Sequence, residues 1–191
     1  MKFVCKLMSM LFLLASIPLS ANSVNNRDFY LWLAEEHKKN PELNTNELIW
    51  SNQFQKFLDT NVSNPESIYL GMTEHKDKDF NYHLYEVLGG PPDKVQFNRD
   101  GTILISGCRH SSCDEKGFIW IDTVNANQIF AVISYFFGQA YRADGYVLIY
   151  TDLAKSTNEM PEKFTESLTA WLDLHELKNL QTILINATSK Q

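Results

Sequence analysis

Three features of the sequence predict an α+β domain, an antiparallel β-sheet with flanking α-helices. Short strand-like runs punctuated by Gly, Pro, Asn and Asp fill the middle of the chain, from Ser67 to Asp152. Segments with helical periodicity stand at both ends. The composition, 44% hydrophobic and 13% aromatic, is enough to bury a core and excludes a disordered chain.

The chain opens MKFVCKLMSMLFLLASIPLSANSVNN. Lys2 and Lys6 precede an apolar run from Leu7 to Ile17, which Pro18 breaks before small residues. This pattern reads as a cleaved export signal over residues 1–23, with Ala21 and Ser23 as small residues at the processing site. A retained membrane anchor is the competing reading, but the run is short for a bilayer span. The expectation is a single domain over residues 24–191 in an exported, periplasmic or secreted protein, with no stable membrane anchor after cleavage. Neither an internal repeat nor a low-complexity segment is found. Losing Lys2 and Lys6 leaves 15 basic residues against 23 acidic, a net charge of −8. That balance argues against nucleic acid or an anionic membrane as a partner and allows attraction to a basic one.

The elements follow in order. NRDFYLWLAEEHKKNPE predicts a helix with Phe29, Trp32 and Leu33 on one face, Lys38 and Lys39 near its C-terminal end, and Pro41 as its stop. A second helix is predicted from about Thr45 to Thr60, with Asn44 and Glu47 spaced as a capping box. SIYLGM reads as a strand, and EHKDKDFNYHLYEV, Glu74 to Val87, fits either strand or helix. LGGPPDK is a turn. Val95 and Phe97 lead into a hairpin that turns at Asn98–Gly101 and returns through Thr102–Ser106. GFIWID and the long apolar run NQIFAVISYFF are further strands, the second a central one. Asp144-Gly145 predicts a tight turn before YVLIYTD. Pro161 suits the first position of a last helix whose face carries Phe164, Leu168, Trp171, Leu172 and His175. LQTILINATS predicts a final strand.

The most distinctive stretch is SGCRHSSCDEKGFIWID. Export would remove Cys5 and leave Cys108 and Cys113, and an even pair in an exported chain reads as a disulfide. Closing so short a loop contributes roughly 2 kcal/mol, so the bridge shapes the loop more than it holds the fold. Metal binding and thiol redox chemistry stay open without being favoured. Two cysteines and His110 are too few for a structural metal, and the spacing is not C-x-x-C.

The catalytic motifs that would point to an enzyme are missing. There is no G-x-S-x-G, H-E-x-x-H, phosphate-binding glycine loop or dinucleotide fingerprint, so no cofactor and no metal are expected. His37, His75, His83, His110 and His175 are scattered without metal-ligand spacing. Asp114 and Glu115 stand close to His110 in sequence and offer an acid/base alternative. Asn61-Val-Ser63 and Asn186-Ala-Thr188 match the glycosylation pattern.

A rigid disulfide ring would present Arg109 and His110 outward at low entropic cost, with Ser111, Ser112 and Asp114 beside them. Arginine's fork of donors suits carboxylates, and a glycosidase cleft holds two of them. The loop CRHSSC resembles the disulfide-closed loop of the Ivy family, the periplasmic inhibitors of vertebrate c-type lysozyme. That family carries C-x-P-H-x-C on an antiparallel sheet with helices, and its loop histidine enters the lysozyme cleft. Cys108 and Cys113 keep the spacing; His110 is third in the loop where the family has histidine fourth, and the proline is missing. The resemblance covers Val95 to Phe137 and implies a lysozyme or another cell-wall glycosidase as partner. Two alternatives stand beside it: an envelope binding or structural domain of the same fold, and a thiol or acid/base enzyme.

Overall fold

A computed structural model describes residues 21–62, 78–137 and 140–186. These residues form an α+β domain, a six-stranded sheet with helices on both faces. The apolar leader and the SIYLGM segment lie outside the described residues, apart from Ala21–Ser23, which open the first helix.

Helix α1 spans Ala21–Lys39 and buries Phe29, Tyr30 and Leu33. Its last turn is basic, as its macrodipole favours, and Lys38 and Lys39 bond Glu35 and Glu36 at 2.6 and 2.7 Å. The segment expected as one helix forms two, α2 (Thr45–Ile49) and α3 (Asn52–Asn61). The capping box at the start of α2 is present, with the Glu47 N–H donating to Asn44 Oδ1 and the Asn44 N–H to Glu47 Oε2. The break comes at Ser51, whose hydroxyl accepts from the Phe54 N–H at 3.2 Å and starts a new helix. A serine that can satisfy a free backbone donor competes with continuing the turn.

The ambiguous segment, whose residues 74–77 lie outside the described residues, holds a helix, α4 (Phe80–Leu88), capped by Asp79, which accepts from the Tyr82 N–H at 2.9 Å. Phe80, His83, Leu84, Val87 and Leu88 fall on one buried face, the i, i+3, i+4, i+7 spacing of an amphipathic helix.

The strands are β1 (Gln96–Phe97), β2 (Thr102–Arg109), β3 (Ser112–Asp122), β4 (Asn127–Phe137), β5 (Ala140–Thr151) and β6 (Gln181–Asn186), adjacent in chain order. The first five pair antiparallel, as expected of successive hairpins. β6 pairs parallel with β5, so the sheet is mixed. Helix α5 (Glu162–Leu174) causes this: it crosses over one face between β5 and β6 and returns the chain in its original direction. Pro161 sits one position earlier than expected, as the cap residue before Glu162.

Asp144 and Gly145 lie inside β5, not at a turn. A Cβ at Gly145 would stand 2.6 Å from Leu180 and 2.8 Å from Tyr135. The glycine therefore serves close side-chain approach within a strand, which the Asp-Gly pair alone does not distinguish from a turn.

Alternation along the strands builds two cores. On one face Ile103, Ile105, Ile119, Ile121, Phe130 and Val132 pack under α1 to α4. On the other, Leu104, Phe118, Trp120, Ile129, Ala131 and Ile133 pack under Phe164, Leu168 and Trp171 of α5. Each fully buried side chain of this size contributes about 1.5–3 kcal/mol, so both layers are needed to hold the sheet. Among the described residues no helix is long and apolar enough to cross a membrane.

Candidate functional site: the disulfide-closed tip

β2 and β3 meet in a two-residue turn, His110-Ser111, with Arg109 paired to Ser112 across it. Ser111 adopts a φ of 63°, the left-handed conformation that closes so tight a hairpin. Cys108 and Cys113 are joined by a disulfide, with Cα atoms 4.8 Å apart, so the turn is closed covalently at its base.

A second segment braces it. The Gly90 N–H donates to the Cys108 carbonyl at 2.8 Å, the Cys108 N–H to the Pro91 carbonyl at 3.1 Å, and the Asp93 N–H to the Ser106 carbonyl at 3.2 Å. Residues 90–93 thus behave as a short extra strand along the edge of β2. A Cβ at Gly90 would stand 2.4 Å from the Cys108 oxygen and 2.5 Å from the His110 nitrogen, so this contact admits only glycine.

His110, Ser111, Cys113 and Asp114 are exposed at the tip, and Ser112 is half-buried. Arg109 is placed differently from expectation. Its side chain is 22% exposed and folds back over the sheet, its Nη1 2.6 Å from Glu115 Oε2 and its Nη2 3.8 Å from Glu86 Oε2. Strand alternation puts Arg109 and Glu115 on the face that α4 covers, and a carboxylate as buried as Glu115 needs a cation beside it. Burial opposes the Arg109 charge, but the hydrogen bond and charge of Glu115, helped by Glu86, outweigh it and hold its pKa above the usual arginine value. Glu115 also accepts from the Ser134 hydroxyl at 3.1 Å. The acid/base alternative loses one member on this geometry: Glu115 is committed below the sheet end, while His110 stands in solvent.

The opposite face of the same sheet end holds a cluster that sequence reasoning missed. The Ser106 hydroxyl donates to Asp93 Oδ2 at 2.5 Å and accepts from Trp171 Nε1 at 3.1 Å. His175 Nε2 lies 3.6 Å from the same Asp93 oxygen. Serine, histidine and aspartate meet here without the order a nucleophile needs, because Ser106 is bonded to the carboxylate, not the imidazole, and is 2% exposed. Burial lowers the His175 pKa, the nearby Lys116 charge lowers it further, and Asp93 only partly offsets them. No local signal marked the cluster: Lys116 shares its strand with Asp114, Glu115 and Asp122, so its charge did not stand out in the sequence.

Among the described residues, no group of three His, Cys, Asp or Glu side chains is arranged to hold a metal ion. Comparison with protein-family models, curated proteins and solved structures finds no match to this chain.

Proposed function

We propose that the protein is an exported, non-catalytic binding protein whose disulfide-closed tip enters the cleft of a lysozyme or another cell-wall glycosidase. The observation that carries this reading is the tip itself: a two-residue turn closed by Cys108–Cys113, braced along the Gly90–Asp93 backbone, with His110 and Ser111 exposed. A pre-ordered donor surrenders little entropy on binding. His110, Ser111, Ser112 and Asp114 supply the contact. Arg109 acts behind them as a positioning residue, since its fork is already held by Glu115 and Glu86.

The tip is too small to form a stable interface alone, because each partner buries roughly 800 Å² in a typical complex. Pro91 and Pro92, exposed beside the ring, extend the contact. The acidic balance of the chain suits a basic partner.

The test is a titration of c-type, g-type and i-type lysozymes on cell walls with purified protein, beside a His110→Ala variant of equal thermal midpoint. Stoichiometric inhibition of one class, lost in the variant, is the expected result. No inhibition of any class at micromolar protein overturns the glycosidase reading.

A further inference from the structure

A second site lies at the other end of β2. Eight residues separate Thr102 from Arg109 inclusive, about 24 Å of strand at ~3.4 Å per residue, so this region is remote from the tip. Here α1 and the β1–β2 turn enclose a groove of about 370 Å³, within the size range of small-molecule sites. Leu31, Ala34, Phe97 and Ile103 line its apolar part. Leu31 is 58% exposed, and Val124, 72% exposed, stands over Gly101 of the same groove. Leu31 is thus a large apolar side chain left in water at the wall of this cavity.

The polar side chains at the rim are mostly occupied. Asn98 donates to the Thr102 hydroxyl at 3.0 Å, and the Thr123 hydroxyl donates to the Gly101 carbonyl at 2.8 Å. Tyr30 donates to Gln128 at 3.0 Å. Arg27 also lines the groove, is exposed, and has no carboxylate partner among the described residues. An apolar trough with one free guanidinium at its edge selects a ligand with an apolar body and an anionic end. We propose that this groove binds a small amphipathic carboxylate, its chain along Leu31, Ala34, Phe97 and Ile103 and its head on Arg27.

The full mature chain would be titrated with decanoate, 1-decanol and acetate by calorimetry. Decanoate is expected to bind saturably with one site per chain, while decanol and acetate bind at least tenfold more weakly. Arg27→Gln, an exposed change that leaves the core intact, is expected to weaken decanoate roughly tenfold, the loss of one charge-assisted contact. Ala34→Phe is expected to fill the groove and abolish binding. Leu31→Asp on the rim does the same by charge if Ala34→Phe lowers the thermal midpoint. Absence of saturable decanoate binding overturns the proposal, and so does decanoate affinity unchanged in Arg27→Gln or matched by decanol. Arg27→Gln leaves any lysozyme inhibition unaltered, so the two sites succeed or fail separately.

Discussion

Glu115 holds Arg109 at 2.6 Å on the face of the sheet that α4 covers, directly behind a tip where His110, Ser111 and Asp114 face solvent. Two residues predicted to serve chemistry or recognition together serve architecture. Their alternation with His110 and Asp114 divides the hairpin end into a clamp and a presenting surface.

Breaking the clamp is expected to be costly. Arg109→Ala leaves a carboxylate only 5% exposed without its cation, a loss of about 2–4 kcal/mol. Arg109→Lys keeps the charge but not the fork and falls between the variant and the native protein. The double change Arg109→Ala/Glu115→Ala recovers part of the loss, which urea unfolding of the native protein, Arg109→Ala, Glu115→Ala and the double variant measures as a coupling energy.

Gly90→Ala forces a methyl group into backbone atoms at 2.4–2.6 Å that no rotamer can relieve. The expected destabilisation is at least ~2 kcal/mol, with the tip displaced. Amide exchange should quicken at Cys108, whose N–H is held by Pro91, while Ile119 and Phe130 in the sheet stay protected until global unfolding. Equal acceleration at all three sites would contradict a local brace.

Removing the bridge should cost less than removing the brace. Cys108→Ala/Cys113→Ala loses roughly 2 kcal/mol of loop-closure entropy, and the sheet persists with a looser tip. Cys113 is exposed and Cys108 is buried, so alkylation after mild reduction should label Cys113 first, which peptide mapping reads directly.

His175 makes stability depend on pH. Burial and Lys116 depress its folded pKa below the usual value near 6.5, while the unfolded chain keeps that value. The unfolded state therefore takes up the proton first, and this group's contribution to stability is lost as pH falls through about 6.5 toward the folded pKa. Lys116→Met removes the repulsion, leaves Asp93 facing the imidazole, and raises the His175 pKa in an NMR titration. His175→Asn flattens the stability loss over the same interval.

Much of this architecture was legible in local sequence, and most of the failures share one cause. Asn44 with Glu47 announces a cap because the motif is complete within four residues. Likewise, the β-branched and aromatic run in GFIWID announces a strand, which the structure buries on both faces. The strand conformation of Asp144-Gly145 and the parallel entry of β6 are set by distant partners, Leu180 and Tyr135 in the first case and the α5 crossover in the second, whereas the break at Ser51 is a local cap inside a run that otherwise reads as one helix. At the tip, the bridge followed from cysteine count, whereas the inward turn of Arg109 required knowing that Glu115 and Glu86 share its face. The Asp93–Ser106–His175 cluster joins three elements and had no local signature.

Asn61 gives the last prediction, because its sequence suggests one role and its surroundings another. Its amide group donates to Asn26 Oδ1 at 2.7 Å and to the Phe57 carbonyl at 2.8 Å, so both N–H bonds are in use. Its oxygen accepts from Asn26 at 3.1 Å and from Gln128 at 2.9 Å. The nitrogen to which a glycan would be joined thus ties α3 to α1, while the oxygen beside it holds Gln128 of β4, with Asn26 itself only 3% exposed. Asn61→Asp preserves shape but replaces both donors with acceptors that face the Asn26 oxygen and the Phe57 carbonyl. It is expected to cost about 2–3 kcal/mol at pH 7. Lowering the pH toward 4 protonates the new carboxyl, restores one donor and recovers part of that cost relative to the native protein at the same pH. Asn61→Asp unfolding as the native protein does at pH 7 would mean that the network is slack, and the asparagine would again be available for modification.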